Sequence, residues 1–427
     1  MLTSCAALEQ KYSALLEERL GWRSLVSYVG NRNEPVLRWF RYKESFSAEL
    51  VRRLIVEFNL NEKDFILDPF SGLGTTLYTA QGEGIPSAGV DLLPLSAFVA
   101  DTLTKVRTLD LDEVSRNYRI LIENVVKEKL NGEKFPDVPI ISRAFTEDKI
   151  KELLLWRQAI SKLPSEVQDF FMLLLLSVVE SVSLTSKDGQ FLRLIQRETP
   201  DIKTVFSKKY SQAYNDLLSI KTFQHGAILP DTHVFPRDAR KLSELSFPKA
   251  PTAVITSPPY LNRYDYSRSY VLELCLNFIK DAEHLKEIRH SLLRSHIESK
   301  RNGDKPPHEA VAEILDLLST KSMNNPKIPD MILGYFADMN EVIIQLSRVL
   351  MENAKVAVVV GNVRFEGIII PVDMILSDMA ERFGFHTEKI VITRYKGNSS
   401  QQMGKYGREK VRESVLIWSF QKKSNKK

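Results

Sequence analysis

The sequence DFILDPFSGLGTT occupies residues 64–76. Its apolar start predicts a short buried strand, its glycines predict a tight turn, and a helix is predicted from Thr75 onward. Glycines let the backbone come close to a ligand, and the first turn of a helix presents free N–H groups, so this unit is typical of nucleotide binding. No Gly-Lys-Ser/Thr follows, which excludes a P-loop. Asp68, at the strand end, suits a cationic amino group better than a phosphate.

A second strand that ends in an acid follows the glycine turn. Residues 85–90 (IPSAGV) predict a strand that leads into Asp91. An acid in this position, about twenty residues after the glycines, can accept hydrogen bonds from both hydroxyls of a ribose. The alternative is an exposed loop carboxylate. The preceding glycine turn favours the ribose-binding interpretation.

A third strand end carries the sequence TSPPY at residues 256–260, directly after the apolar run 253–255. Proline has no N–H and a fixed φ, so the two prolines end the strand and stiffen the backbone. In open α/β sheets the ligand crevice lies at this end of the strands. A planar group with an exocyclic amine could stack on Tyr260 and donate its hydrogens to Ser257 and to the backbone carbonyls. A plain turn is the alternative for this motif alone.

The composition sets limits on the class of protein. The 427 residues are 43% hydrophobic and 26% charged, which is typical of a globular protein with a sizeable core. A formal net charge of +5 favours a polyanionic partner without requiring one.

The two cysteines exclude a disulfide framework and the seven histidines lack metal-ligand spacing, so we expect no metal. Without a signal-peptide pattern or a bilayer-length apolar stretch, we expect a cytoplasmic protein with no membrane contact.

Strand and helix patterns alternate along most of the chain. Further strands are predicted at residues 233–235, 355–360, 387–393 and 414–420, and further helices at residues 6–20, 48–58, 95–106, 334–350 and 371–383. This alternation predicts one α/β, Rossmann-like, doubly wound sheet. Successive helical patterns after residue 110 predict that a helical insertion interrupts it.

We therefore divide the chain into three segments. Residues 1–109 hold the amino-terminal helix and the first half of the sheet domain. Residues 110–229 form the helical insertion. Residues 230–427 complete the sheet domain and include a polar, basic insertion near residues 280–330.

Two segments are rich in basic residues. The first is 187–221, with Arg193, Arg197, Lys203, Lys208 and Lys209, and the second is the loop 394–412, with Arg394, Lys396, Lys405, Arg408, Lys410 and Arg412. The first segment is about equally consistent with two interpretations, a surface that faces nucleic acid and a solvated helix face. The second is typical of a loop that contacts backbone phosphates.

The glycine-turn motif and the TSPPY motif, in this order, resemble those of the amino-methyltransferases of DNA. These enzymes use S-adenosylmethionine to methylate an exocyclic nitrogen of a base. The resemblance covers roughly residues 36–106 and 230–280, and more loosely 334–420. The long helical block between the motifs departs from the family pattern. The resemblance makes this block a candidate for the region that recognises the target sequence.

The resemblance also implies roles for single residues. The implied cofactor-binding residues are Phe46, Ser47, Asp68, Pro69, Phe70, Gly72, Gly74, Thr75, Thr76, Asp91 and Asp238. The implied catalytic residues are Ser257, Pro258, Pro259 and Tyr260. Ser-Pro-Pro-Tyr resembles the cytosine-N4 branch more than the adenine-N6 branch, which usually has Asp or Asn before the prolines. The implied substrate is double-stranded DNA, and the implied partner is a separately encoded restriction endonuclease.

The residue types also suggest a mechanism. An amine conjugated to a base ring is a poor nucleophile. Hydrogen bonds to the Ser257 hydroxyl and the Pro258 carbonyl would localise its lone pair, so that transfer requires positioning more than a strong base. A base in a duplex is out of reach, so we expect it to be flipped onto Tyr260. A cytosine-C5 methyltransferase would need a thiol after a proline, and neither Cys5 nor Cys275 provides one.

Other functions remain open from the sequence. The same site could act on adenine N6 in DNA or on an amine of RNA. A catalytically silent nucleic-acid-binding subunit with this fold is an alternative of another class, although it would be expected to have lost one of the two motifs. A combined methyltransferase and nuclease is disfavoured because we find no nuclease carboxylate–lysine pattern.

Overall fold

An eight-stranded sheet forms the centre of the protein. The computed structural model describes residues 3–127, 129–188, 191–223, 228–300, 302–397, 404, 406–407 and 409–422. The strands are β1 Leu16–Glu18, β2 Ile66–Asp68, β3 Ser87–Val90, β4 Thr185–Asp188, β5 Phe191–Leu194, β6 Thr232–Phe235, β7 Ala253–Thr256, β8 Lys355–Gly361, β9 Val363–Phe365, β10 Ile368–Ile370, β11 Phe385–Lys396 and β12 Val411–Phe420.

Helices cover the sheet and fill the insertion. They are α1 Thr3–Tyr12, α2 Ala48–Glu57, α3 Thr75–Gly82, α4 Pro94–Lys105, α5 Leu111–Lys127, α6 Pro139–Ala144, α7 Glu147–Ser161, α8 Ser165–Val178, α9 Ile202–Phe223, α10 Tyr266–Ser269, α11 Val271–Asn277, α12 Ala282–Ser291, α13 Glu309–Ser319, α14 Ile328–Val349 and α15 Val372–Glu381. The predicted helix at residues 48–58 is confirmed as α2, whose first turn is capped by Ser47.

The strand order is β6-β3-β2-β7-β8-β12-β11-β1. Strand β2 pairs in parallel with β3 on one side and with β7 on the other, so the winding of the sheet reverses at β2. Strand β12 runs antiparallel to both of its neighbours. This arrangement confirms the predicted Rossmann-like, doubly wound fold with an insertion. A reversal point of this kind places the ligand crevice at the carboxyl ends of β2 and β7.

The central strands are buried on both faces. Ile66 and Ile255 pack in a cluster that includes Leu54 of α2. The next residue in β2, Leu67, and the preceding residue in β7, Val254, belong to a second cluster that includes helix α14. Alternating side chains of a strand point to opposite faces, so both layers are needed to bury β2 and β7.

The insertion, residues 110–229, shares one hydrophobic core with helices α4 and α11. Helix α8, its most apolar element, contributes Phe170 and Phe171 to that core. Among the described residues, no helix combines the length and the apolar character needed to cross a membrane. The role of the insertion in target recognition stays a prediction.

One prediction about local structure is wrong, and one pair of strands was missed. The helix predicted over residues 6–20 ends at Tyr12, and Leu16–Glu18 instead forms an edge strand that pairs in parallel with β11. The hairpin of β4 and β5 was not predicted within the helical block. Both features consist of short segments whose hydrogen-bond partners, rather than any local periodicity, select the strand conformation.

Candidate active site

A cleft of about 900 Å³, including the space open to solvent, lies at the carboxyl ends of β2, β3, β6 and β7. We call it the first cleft. It is lined by Tyr42, Glu44, Ser45, Phe46, Asp68, Pro69, Phe70, Ser71, Gly72, Leu73, Thr75, Asp91, Leu92, Leu93, Arg237, Asp238, Ala239, Arg240, Ser257, Pro259, Tyr266, Leu292, Leu293, Ser295 and His296. The structure therefore brings most of the sequence-predicted cofactor residues together in one place.

The glycine turn uses the conformational freedom of both glycines. Gly72 has φ +48° and donates its N–H to the Asp91 carboxylate at 2.9 Å. Gly74 has φ +80° and caps helix α3. A Cβ on Gly74 would lie 2.9 Å from the Cα of Ala100, so the missing side chain allows α3 and α4 to pack closely.

Gly74→Ala should therefore lower the free energy of unfolding by about 2–4 kcal/mol, because it adds an overlap with α4 to the strain of a positive φ. Gly84→Ala is the matched control, since Gly84 has φ +76° but no atom within 4 Å of an added Cβ. We expect Gly84→Ala to lower the free energy of unfolding by only about 1 kcal/mol. Urea unfolding of both variants measures the difference, and equal losses would contradict the packing role of Gly74.

Asp68 ties three segments together at the end of β2. Its carboxylate, 1% exposed, accepts hydrogen bonds from Thr256 Oγ1 and Thr76 Oγ1, both at 2.7 Å, and from the Phe70 N–H at 3.1 Å. Burial raises the pKa of Asp68 to about 6, although these bonds favour the ionised form. The carboxylate fixes the ends of β2 and β7 relative to α3 and also borders the first cleft.

Asp91 anchors the glycine turn from the end of β3. Besides the Gly72 N–H, it accepts the Leu93 N–H at 2.9 Å. Burial is the main cause that raises the pKa of Asp91 to about 6. Each carboxylate oxygen can accept a second hydrogen bond, so the contacts within the protein do not exclude a ligand hydroxyl.

Asp238 lies in the first cleft but already has a partner. Arg240 donates to both of its carboxylate oxygens, with the shortest contact at 2.7 Å. The same guanidinium donates to the Ser291 carbonyl at 2.6 Å, which ties the end of α12 to this wall of the cleft. Any ligand amine at Asp238 would share the carboxylate with Arg240.

Three of the predicted cofactor residues do not line the first cleft: Ser47, Gly74 and Thr76. Ser47 is fully buried and accepts the Leu50 N–H as the cap of α2. Thr76 donates to Asp68. These residues shape the cleft through the elements that they hold.

His296 was not predicted as a site residue, because the sequence only places it in the basic insertion. Its side chain is 1% exposed and lines the first cleft, and neither ring nitrogen has a hydrogen-bond partner within the described residues. Burial lowers the pKa of His296, so its ring is neutral at pH 7, with one donor and one acceptor nitrogen. An unpaired buried imidazole of this kind is suited to a polar group of a ligand.

His296→Ala should raise the Kd for S-adenosylmethionine about three- to tenfold, because one neutral hydrogen bond contributes about 0.5–1.5 kcal/mol. Calorimetric titration measures this effect. His386→Ala, at an exposed position on β11, is the control. An unchanged Kd in His296→Ala would exclude a contact between this ring and the cofactor.

A second cleft of about 630 Å³, again including space open to solvent, adjoins the first. It is lined by Val26, Ser27, Lys43, Glu44, Ser45, Ser257, Pro258, Tyr260, Asn262, Tyr264, Tyr266, Arg394, Lys396 and Glu413. The two clefts share Glu44, Ser45, Ser257 and Tyr266. A ligand in one cleft therefore meets a ligand in the other beside Ser257.

Tyr260 forms part of the second cleft. Its ring packs against Gly361, where an added Cβ would lie 3.2 Å from the ring. The Lys396 ammonium lies 5.2 Å from the ring centroid. Burial and the nearby Glu413 carboxylate raise the pKa of Tyr260 well above its usual value, so the hydroxyl stays protonated.

An aromatic wall that was not predicted separates the clefts from the helical insertion. Tyr42 stacks on Tyr270 with ring centroids 5.1 Å apart and lies 6.3 Å from Tyr266. Glu44 accepts a hydrogen bond from the Tyr270 hydroxyl at 2.6 Å. The sequence analysis placed the predicted cofactor residue Phe46 in this segment. The stack itself depends on α10 and α11, which lie far away in the sequence.

Two basic residues of the segments that the sequence offers as candidate nucleic-acid contacts bind groups within the protein. Arg197 donates to backbone carbonyls of its own hairpin region, including Ser183 at 2.9 Å. Arg412 pairs with Asp373 at 3.1 Å and with Glu9. Of the remaining basic residues in loop 394–412, Lys405 and Arg408 lie outside the described residues.

The first cleft fits S-adenosylmethionine. The glycine turn leaves room for a close ligand, the Asp91 carboxylate can accept ribose hydroxyls, and His296 offers unpaired ring nitrogens. Phe46, with its buried ring, and Phe70 add an apolar surface. A cofactor that carries an amino group, a ribose and an adenine ring requires this mixture of acceptors and apolar surface.

Comparisons with known proteins show which family the sequence is similar to. A family model described as DNA methylase matches residues 13–94. The type II methyltransferase M.BsoBI of Geobacillus stearothermophilus is 35% identical, over 96% of this chain and 91% of that protein. The type II methyltransferase M.AvaI of Nostoc sp. is 34% identical, over 96% of this chain and 92% of that protein.

A more distant relative, the type II methyltransferase M.MvaI of Kocuria varians, is 24% identical over 75% of each chain. The near-complete coverage by M.BsoBI and M.AvaI includes both motifs and the helical insertion between them. These matches confirm the predicted family and S-adenosylmethionine as the methyl donor. The chain therefore belongs to the type II DNA methyltransferases, and within them to the S-adenosylmethionine-dependent enzymes that methylate exocyclic amino groups of DNA bases.

Proposed function

We propose that this methyltransferase acts on the N4 amine of a cytosine that is flipped out of DNA. The observation that carries the proposal is the position of Ser257, which lines both clefts. The first cleft holds the cofactor and the second holds the base. The base amine and the methyl group then meet beside Ser257, at the carboxyl end of β7.

In this proposal the cofactor contacts come from the first cleft. Asp91 accepts the ribose hydroxyls, Asp238 faces the adenine end together with Arg240, and Phe46 packs on the methionine part. Pro69, Phe70, Gly72 and Thr75 line the middle of the cleft. Asp68 holds this wall in place through Thr76 and Thr256 and borders the methionine end. Ser47 and Gly74 act indirectly, through the helices that they cap.

Ser257 is poised to accept a hydrogen bond from the base. Its hydroxyl donates to the Val359 carbonyl at 3.2 Å, so its oxygen lone pairs remain for an incoming amine. The Pro258 carbonyl supplies a second acceptor, because the two prolines end the strand and free its last carbonyls. Two acceptors pull the amine away from conjugation with the ring and localise its lone pair. When bound, S-adenosylmethionine supplies an electrophilic methyl group on a sulfonium.

Tyr260 provides the surface on which the flipped base stacks. A base stacked inside a duplex is out of reach of the second cleft, and extrusion followed by stacking on an aromatic ring is the usual solution for enzymes that modify bases. Gly361 packs against the ring and helps to keep it fixed. The base is thereby held in the orientation needed for in-line attack.

In this proposal the insertion, residues 110–229, reads the target sequence. Its hairpin β4–β5 carries Lys187, which forms a buried pair with Glu273 at 2.6 Å. The ammonium of Lys43, a residue that lines the second cleft, donates to the Lys187 carbonyl. The hairpin is thus tied to the edge of the cleft that receives the base, which supports its role in target recognition.

The proposal is tested by incubating the protein with labelled S-adenosylmethionine and duplex DNA of mixed sequence, followed by mass spectrometry of the nucleosides. We expect N4-methylcytosine. Detection of N6-methyladenine would show that the target base is adenine and not cytosine. No product on DNA, with the cofactor bound, would indicate an RNA substrate or a silent subunit.

A further inference from the structure

Three charged side chains border the second cleft on the hairpin of β11 and β12. Arg394 lies opposite Glu413 in the strand register, and Lys396 follows Arg394 on the same face of β11. Glu413 is 1% exposed and pairs with both Arg394 and Lys396. A buried carboxylate with two cations leaves one net positive charge beside the site proposed for the base.

Lys396 is the cation closest to the ring on which the base stacks. Its ammonium lies 5.2 Å from the Tyr260 centroid and carries three N–H donors, of which the contact with Glu413 uses one. The pairing with Glu413 holds the long side chain in one place, so less entropy is lost when it binds another acceptor. Lys396 is therefore a fixed hydrogen-bond donor on the wall of the second cleft.

The chemistry of the bases determines what such a donor distinguishes. When the exocyclic amine lies at Ser257 and Pro258, the ring nitrogen beside the amine is an acceptor in both cytosine and adenine. The next position along the same edge differs: cytosine has the O2 carbonyl and adenine has a C2–H. A donor at that position forms a hydrogen bond only with cytosine, and an adenine there would leave the donor unpaired.

We propose that Lys396 donates a hydrogen bond to O2 of the flipped cytosine and is a specificity-determining residue of this enzyme. The inference rests on the proposed cytosine-N4 function and names the residue that reads the base. Glu413 is the positioning partner that fixes the ammonium. The loop 394–412 was predicted to contact backbone phosphates, and this inference assigns Lys396 to the base instead.

The test compares duplexes that contain the methylated sequence, mapped beforehand by sequencing, with either cytosine or 2-thiocytosine at the target position. Sulfur is a weak acceptor, so the wild type should lose about ten- to a hundredfold in kcat/KM on the 2-thiocytosine duplex, as expected for one charged hydrogen bond. On the cytosine duplex, Lys396→Met should have a kcat/KM lower than that of the wild type by a similar factor. Its kcat/KM should not fall further on the 2-thiocytosine duplex.

Lys355→Met is the matched control, because Lys355 forms a comparable pair with Glu388 at the other end of the same sheet. It should keep the wild-type ratio between the two substrates. If Lys396→Met does not fold, Lys396→Gln supports the same comparison, with a weakened but retained donor. The inference would be overturned if the Lys396 variant lost as much kcat/KM on the 2-thiocytosine duplex as the wild type does. The proposed function would survive that result, provided that N4-methylcytosine is the product. N6-methyladenine as the wild-type product would instead overturn the proposed function.

Discussion

Tyr260→Ala is expected to lower kcat/KM for DNA methylation by about three orders of magnitude, with little change in cofactor affinity. The loss of base stacking accounts for about 1–3 kcal/mol, and the poor orientation of an unsupported base adds the remainder. Cofactor binding should persist because Tyr260 lines the second cleft and not the first. Methyl-transfer kinetics and calorimetric titration with S-adenosylmethionine measure the two effects separately.

Tyr260→Phe is the control, since it keeps the ring and removes only the hydroxyl beside Glu413. We expect kcat/KM of this variant to fall about tenfold or less, which is the effect of losing one hydrogen bond. Full activity in Tyr260→Ala would contradict the assignment of the second cleft to the base. An equal loss in both variants would shift the role of Tyr260 from stacking to its hydroxyl.

Asp91→Asn is expected to raise the Kd for S-adenosylmethionine about a hundredfold. The charge that we propose to accept the ribose hydroxyls is lost, and the hydrogen bonds that hold Gly72 and Leu93 are weakened. The pKa of Asp91, about 6, also predicts a pH dependence. The carboxylate is ionised above that pH, so the affinity of the wild type should fall as the pH drops through about 6.

The Asn variant should show a flatter pH profile, which keeps the contributions of Asp68, whose pKa is also about 6, and of His296. Asp101→Asn is the control, because Asp101 pairs with Lys105 on the surface of α4. It should bind the cofactor like the wild type at every pH. An Asp91→Asn profile identical to that of the wild type would show that another group titrates in the cofactor site.

The sequence predicts the sheet and the first cleft well because their signals are local. The apolar runs that end at Asp68, Val90 and Thr256 are short buried strands, and their ends meet as parallel strand ends must. The glycines at 72 and 74 both adopt positive φ, as the predicted turn requires. These features need no knowledge of distant partners.

The parts that sequence reasoning missed depend on distant partners. Leu16–Glu18 pairs with β11, which lies far along the chain, and its leucine spacing imitates a helix. Glu413 and Lys396 become neighbours only when β11 and β12 pair. His296 reaches the first cleft because Arg240 and the Ser291 carbonyl hold the preceding segment in place. None of these residues belongs to a motif, and only the folded chain brings them to the site.

The meeting of the two clefts at Ser257 is tested most directly by a crystal structure with a non-reactive cofactor analogue and the cognate duplex. We expect a flipped cytosine on Tyr260, with its N4 within hydrogen-bond distance of Ser257 Oγ and the Pro258 carbonyl. The cofactor analogue should occupy the first cleft beside Asp91. A target base bound outside the second cleft, or an adenine in this position, would contradict the account.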